Sequence, residues 1–166
     1  MADGTRGVVS ESRRIGAPAE RIFAMLADPN RHVELDGSGM LRGAEEAQPI
    51  TAVGDRFLMR MYFDRLGGDY KMDNHVVEYE PNRRIAWTPA GADEVTTKDE
   101  EFTIGVPAGH RWGFELEPDG PDVTVVTETY DCTAAPASLR EAVGDGAIWV
   151  DAMKETLARL DQACAT

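Results

Sequence analysis

Four side chains of proton-moving types occur as two pairs, Asp73 with His75 in KMDNHVVEYE and Glu128 with Tyr130 in TVVTETYD. The members of each pair are two residues apart, so in an extended strand both project from one face. A free imidazole titrates at about 6.5 and suits abstraction of a proton from a carbon beside a carbonyl. In that reading His75 is the base, Tyr130 donates to the enolate oxygen, and Asp73 or Glu128 orients the imidazole. The chemistry would be a cyclisation or a dehydration.

Strand phase decides whether these groups meet. If Val77 and Tyr79 point inward, alternation carries Asp73 and His75 with them. On the later strand, Val126 inward takes Thr124, Glu128, Tyr130 and Cys132 along, whereas the opposite phase buries Val123, Val125 and Thr127. The competing reading leaves Asp73 and His75 in solvent and pairs Glu128 with a neighbouring arginine. His32 and His110 read as surface residues. The chain has no Gly-rich phosphate loop, no His pair at metal-ligand spacing, no Cys-His pattern and no nucleophile elbow. Neither a metal nor a cofactor is therefore expected.

A second set of side chains suits binding. Phe57, Met59, Met61, Trp87, Trp112, Phe114, Trp149 and Met153 fall at inward strand positions or on a helical stripe. Methionine adapts to irregular shapes, and tryptophan offers a flat face with one N–H donor. Most of these must serve as ordinary core; a subset, with Met59, Trp87, Trp112 and Met153 the first candidates, would line a cavity.

The elements that position them follow from periodicity and breakers. Val8 to Ile15 alternates as a strand, and Pro18 suits the first turn of a helix over Glu20 to Ala27, which Asp28-Pro29 stops. Asn30 to Leu35 reads as a second short helical piece, and Asp36-Gly37-Ser38-Gly39 as a flexible loop. Strands follow at 55–63, 70–79 and 83–88, then a long acidic connection between Pro89 and Gly109 with a short strand over Phe102 to Val106. A hairpin whose first strand carries Trp112, Phe114 and Leu116 on one face then runs through a Pro-containing connector into a final helix. That helix has Val150, Met153, Leu157, Leu160 and Cys164 as its apolar stripe. The stripe needs a partner, so the helix must lie across the sheet and leave a space beneath it. Gly144-Asp145-Gly146 interrupts its start and reads as a hinge that Gly146→Ala would stiffen.

Composition bounds the rest. At 166 residues and 42% hydrophobic content the chain reads as a single domain over 1–166, with 1–7 as a leader. A formal net charge of −13 disfavours nucleic acid and anionic membrane surfaces. Cys132 and Cys164 read as small buried hydrophobes in a reducing cytoplasm.

Local sequence also carries a resemblance along nearly the whole chain. Ala17-Pro18-Ala19-Glu20-Arg21-Ile22-Phe23 with Asp28-Pro29 comes first, then Val53-Gly54-Asp55-Arg56-Phe57 and Val76-Val77-Glu78-Tyr79-Glu80-Pro81 with Arg84-Ile85-Ala86-Trp87. Trp112, Glu115-Leu116-Glu117-Pro118, Thr127-Glu128-Thr129-Tyr130-Asp131 and Leu157-Ala158-Arg159-Leu160 complete it. In this order the pieces resemble the START-like, helix-grip superfamily (SRPBCC), and within it the bacterial polyketide cyclase/dehydrase-like branch. The resemblance implies an α+β fold: a curved six- to seven-stranded antiparallel sheet wrapped around a long C-terminal helix, with two short helices after the first strand. It also implies a cavity for a hydrophobic small molecule of polyketide, acyl or lipid type, with cyclase or dehydratase activity as one branch. One fold hosts many activities, so a protein-interaction module like the superfamily's chaperone activators is the rival. That rival expects a collapsed cavity and an exposed apolar patch, with the sheet or the acidic Gly91 to Glu101 segment as the docking surface.

Overall fold

The structure is a computed structural model that describes residues 6–63, 68–92 and 104–165. Seven antiparallel strands form one sheet in the order β1-β7-β6-β5-β4-β3-β2. They are β1 (Val8–Ile15), β2 (Leu41–Glu45), β3 (Arg56–Phe63), β4 (Gly68–Glu80), β5 (Arg84–Gly91), β6 (Arg111–Pro118) and β7 (Thr124–Asp131). Because β1 and β2 are opposite edges, the chain between them must cross the concave face. It does so through α1 (Ala19–Leu26), a 3-10 turn at Pro29–Arg31 and α2 (His32–Leu35). α1 buries Ile22, Phe23, Met25 and Leu26, and the Asp28 carboxylate caps the turn by accepting the Asn30 N–H. After β7 come α3 (Ala137–Ala142), a 3-10 stretch at Gly144–Trp149, and α4 (Val150–Cys164).

The helix α4 lies across the sheet as its stripe requires. Met153, Leu157, Leu160 and Cys164 are buried beneath it, each stabilising by about 1.5–3 kcal/mol relative to exposure if counted as a full-sized apolar side chain. Both cysteines are buried and free: Cys132 Sγ donates to Gly7 O at 3.3 Å, and Cys164 Sγ sits 3.6 Å from Met25 Sδ. No helix among the described residues is long and apolar enough to cross a membrane.

Several local expectations change. The edge strand β2 was not foreseen, because Gly43 (φ 131) and a bulge between Leu41 and Gly43 erase its alternation. β5 continues through Pro89 to Gly91; β6 pairs with it only as far as Trp87, and beyond that Ala108 N donates to Pro89 O at 3.2 Å, an arrangement that asks no N–H of the proline. The Asp36–Gly39 segment is tied down rather than flexible. Asp36 accepts from Ser38 N, Ser38 Oγ and Leu41 N, and Gly37 N donates to Thr156 Oγ1 on α4 at 2.9 Å. A Cβ on Gly37 would lie 2.3 Å from Ala152 O, so glycine is what allows this approach. Of the strand expected at 102–106, residues 102 and 103 lie outside the described residues, and 104–106 form a turn before the Ala90–Pro107 bridge. Asp93, Glu94, Asp99, Glu100 and Glu101 also lie outside the described residues.

The Gly144-Asp145-Gly146 junction is three successive residues in the left-handed region, with φ of 57, 55 and 99. It is clamped rather than loose: Asp145 bonds Arg6 at 2.8 Å and Arg140 at 2.9 Å, which hold its carboxyl below the usual range. A Cβ on Gly146 would lie 3.0 Å from Tyr130 Cδ2 and 3.1 Å from Val9 Cγ2. Gly146→Ala would therefore strain and crowd the junction instead of only stiffening it.

Candidate functional site

A partly enclosed cavity of about 190 Å³ lies between the concave sheet face, α2, α4 and the tied-down loop that follows α2. Register explains its walls. Residues directly opposite in an antiparallel pair share a face, and the pairs Phe57 with Asn74, Met59 with Met72, and Met61 with Tyr70 all point in. Trp87 opposes Trp112, which opposes Tyr130, and Phe114 opposes Glu128. Trp149 and Met153 close the space from the helical side. All eight side chains singled out for binding (Phe57, Met59, Met61, Trp87, Trp112, Phe114, Trp149 and Met153) line this one cavity. Five of the seven methionines in the chain line it: Met40, Met59, Met61, Met72 and Met153.

The aromatic rings form two groups. Trp87 stacks on His32 with centroids 5.0 Å apart and meets Phe57 edge-on at 5.4 Å. Trp112 packs on Tyr130 at 4.5 Å and on Trp149 at 5.7 Å, and His110 meets Tyr130 at 5.9 Å. The cavity wall is otherwise mostly apolar, with His32 in the first group and His110 in the second.

Three polar atoms of cavity-lining residues are shielded from solvent and make no hydrogen bond of normal geometry among the described residues: Glu128 Oε1, His110 Nε2 and Trp149 Nε1, the last directed at the Tyr130 hydroxyl. Burial, reinforced by the charge of Asp36, pushes the Glu128 carboxyl up to about 8, so near neutral pH it is mostly protonated. Burial likewise pushes the His110 imidazole down to about 4 and the Tyr130 hydroxyl upward. The Tyr130 hydroxyl lies 3.3 Å from His110 Nδ1. A phenol is the more acidic donor of the two, so we assign Tyr130 as donor, which leaves the ring proton on Nε2.

The two pairs of proton-moving residues are thus separated. Glu128 and Tyr130 face the interior, buried to 5% and 1% exposure, in the phase that also buries Thr124, Val126 and Cys132. Asp73 and His75 lie on the opposite face of β4, and the expectation that they turn inward is corrected. A bulge between Val76 and Glu78 is the cause: Val76 opposes Trp87 and Tyr79 opposes Ile85, both inward although three residues apart. Alternation counted back from Tyr79 therefore comes out one residue wrong. On the outer face Asp73 is paired with Arg56, and His75 Nε2 is 3.7 Å from Asp73 Oδ2.

Two histidines read as surface residues face the cavity, His32 buried and His110 half-buried with its Nε2 shielded. His32 is 7% exposed, donates from Nε2 to Leu26 O at 2.7 Å, and is pushed below its usual pKa chiefly by burial. His110 was legible, since it precedes Trp112 and Phe114 at the same two-residue period; the adjacent Gly109 obscured it. That glycine, at φ +102, is required because a Cβ there would lie 2.3 Å from Ala134 O. For His32 the signal was its spacing of three from Leu35, and for Asp36 there was none. Among the described residues no group of three or more His, Cys, Asp and Glu side chains is placed to hold a metal ion.

Comparison with known proteins agrees with this architecture. In solved structures the fold is similar to that of protein CV1439 from Chromobacterium violaceum, with a TM-score of 0.67, 16% identity, and 98% and 99% of the two chains covered. It is also similar to the Aha1 dimer from Colwellia psychrerythraea, with a TM-score of 0.56, 19% identity, and 95% of each chain covered. These establish the fold. In sequence, the uncharacterised protein Rv0088 of Mycobacterium tuberculosis is 36% identical over 137 residues, covering 82% of this chain and 53% of that protein. The chain therefore spans about half the length of that relative. The polyketide cyclase-like branch suggested by local sequence gives way to a different one in the same superfamily. A family model described as Activator of Hsp90 ATPase homolog 1-like protein matches residues 16–165, and the chain belongs to that family.

Proposed function

We propose that this domain binds one small, largely apolar molecule in the cavity beneath α4. The observation that carries this is the set of three shielded polar atoms, Glu128 Oε1, His110 Nε2 and Trp149 Nε1, left without hydrogen bonds of normal geometry around one apolar space. A buried group without a hydrogen bond costs about 1–3 kcal/mol, and native structures keep few of them. A ligand that is apolar along its body and polar at one end would satisfy them.

Size narrows the ligand. An engineered cavity of about 150 Å³ takes up benzene. On that scale about 190 Å³ suits one ring or a short acyl chain, not a polycyclic polyketide. The methionine-rich wall allows some adaptation of shape. A protein-interaction module was expected to have a collapsed interior, and the open cavity favours the ligand reading. The chaperone activation named in the family description has no comparable support in this site.

All three tryptophans line the cavity, so intrinsic fluorescence reports directly on its occupancy. Titration with a panel of one-ring and short-chain molecules should give saturable quenching or a spectral shift for some of them. A flat response to the whole panel would remove the reading.

A further inference from the structure

We propose that the cavity selects a neutral carbonyl compound, a ketone, ester or amide on a single ring or short chain, whose oxygen is received at the Glu128, His110 and Trp149 end. This rests on the ligand-binding reading above. With Tyr130 donating to Nδ1, His110 offers an Nε2–H, and the Trp149 indole is a donor only. The Asp36 carboxylate is already engaged by Ser38 N at 2.9 Å, Ser38 Oγ at 2.6 Å and Leu41 N at 3.1 Å. Among the described residues no Lys or Arg lines the cavity beside Glu128, and as a carboxylic acid it becomes a third donor.

A ligand carboxylate would add negative charge to a lining that holds Asp36 and no cation to balance it. A ligand ammonium would pair with Glu128 but face the N–H groups of Trp149 and His110. A hydrocarbon would leave all three groups unsatisfied. A carbonyl oxygen carries two lone pairs and no proton, the complement of the donors on His110, Trp149 and protonated Glu128.

The ionisable groups around Glu128 are Asp36 before β2 and Glu11 opposite it in register on β1, with His110 in the same cavity lining and Tyr130 two residues along β7. Glu11 faces Lys154 of α4 at 4.0 Å. His32 and His110 are pushed down and Tyr130 up, so the cavity group changing charge between about pH 6 and 9 is Glu128.

The test uses four probes of matched size: acetophenone, cumene, benzoate and 1-phenylethylamine, titrated by calorimetry at both ends of that pH range. Acetophenone should bind about tenfold more tightly than cumene at the acidic end, one hydrogen bond's worth, and lose that advantage at the alkaline end. In Glu128→Gln, whose amide still donates, the advantage should persist without pH dependence. In Glu128→Leu it should fall to severalfold or less. Equal binding of acetophenone and cumene by the wild-type chain would overturn the proposal while leaving the cavity reading intact. So would tighter binding of benzoate, or of 1-phenylethylamine with affinity rising toward alkaline pH. Failure of all four, cumene included, would sink both.

Discussion

Glu128 is the residue on which the electrostatics turn. Its folded pKa of about 8 lies above the usual carboxyl value of 4.5, so the folded state holds a proton that the unfolded chain releases. The stability this contributes is complete below 4.5 and is lost as pH rises through 8, at about 1.4 kcal/mol per unit in between. His110 works in the other direction. Its folded value of about 4 lies below 6.5, so its contribution is complete above 6.5 and lost as pH falls through 4. Glu128→Gln should therefore gain thermal stability relative to the parent as pH is raised across neutrality, and His110→Gln should flatten the acid limb. Melting temperatures against pH read both, and parallel curves for parent and variants would contradict the assignment. At this scale the sequence was half legible. Period two brought Glu128, Tyr130 and the aromatic set to one face, but one extra residue at Val77 sent Asp73 and His75 to the other. A bulge leaves no mark in hydropathy when the inserted residue is itself apolar.

Among the elements, the loop after α2 and the junction before α4 shape the two ends of the cavity, and both depend on glycine. Gly37 lets the loop touch the α4 backbone, so Gly37→Ala should overpack it at a cost of about 1–3 kcal/mol and loosen the cavity wall. Gly146→Ala should cost about 1–3 kcal/mol through its positive φ, with further crowding against Tyr130 and Val9. Each kcal/mol appears as a fall of roughly 2–4 °C in melting temperature for a domain of this size. Unchanged melting of either variant would show that the close approach is not required. Strand and helix order was readable from breakers and periodicity. The β2 edge and the anchoring of the loop were not, since both arise from contacts between segments far apart in sequence, such as Gly37 with Thr156.

At the scale of the whole molecule, a seven-stranded sheet and one long helix enclose a small apolar space whose polar end has three atoms without hydrogen bonds of normal geometry. The superfamily and the space could be inferred from the chain, the branch within it could not; nor could the size of the space, because it depends on how far α2 and its following loop close over the sheet. That size argues for ligands of one ring, and the polar end argues for a neutral acceptor. A crystal structure of the protein saturated with acetophenone tests this most directly. The account predicts the ring between Trp87, Trp112 and Met153, with the oxygen turned toward Glu128, His110 and Trp149. A cavity holding only ordered waters on those three groups at saturating ligand, or acetophenone bound elsewhere on the surface, would contradict it.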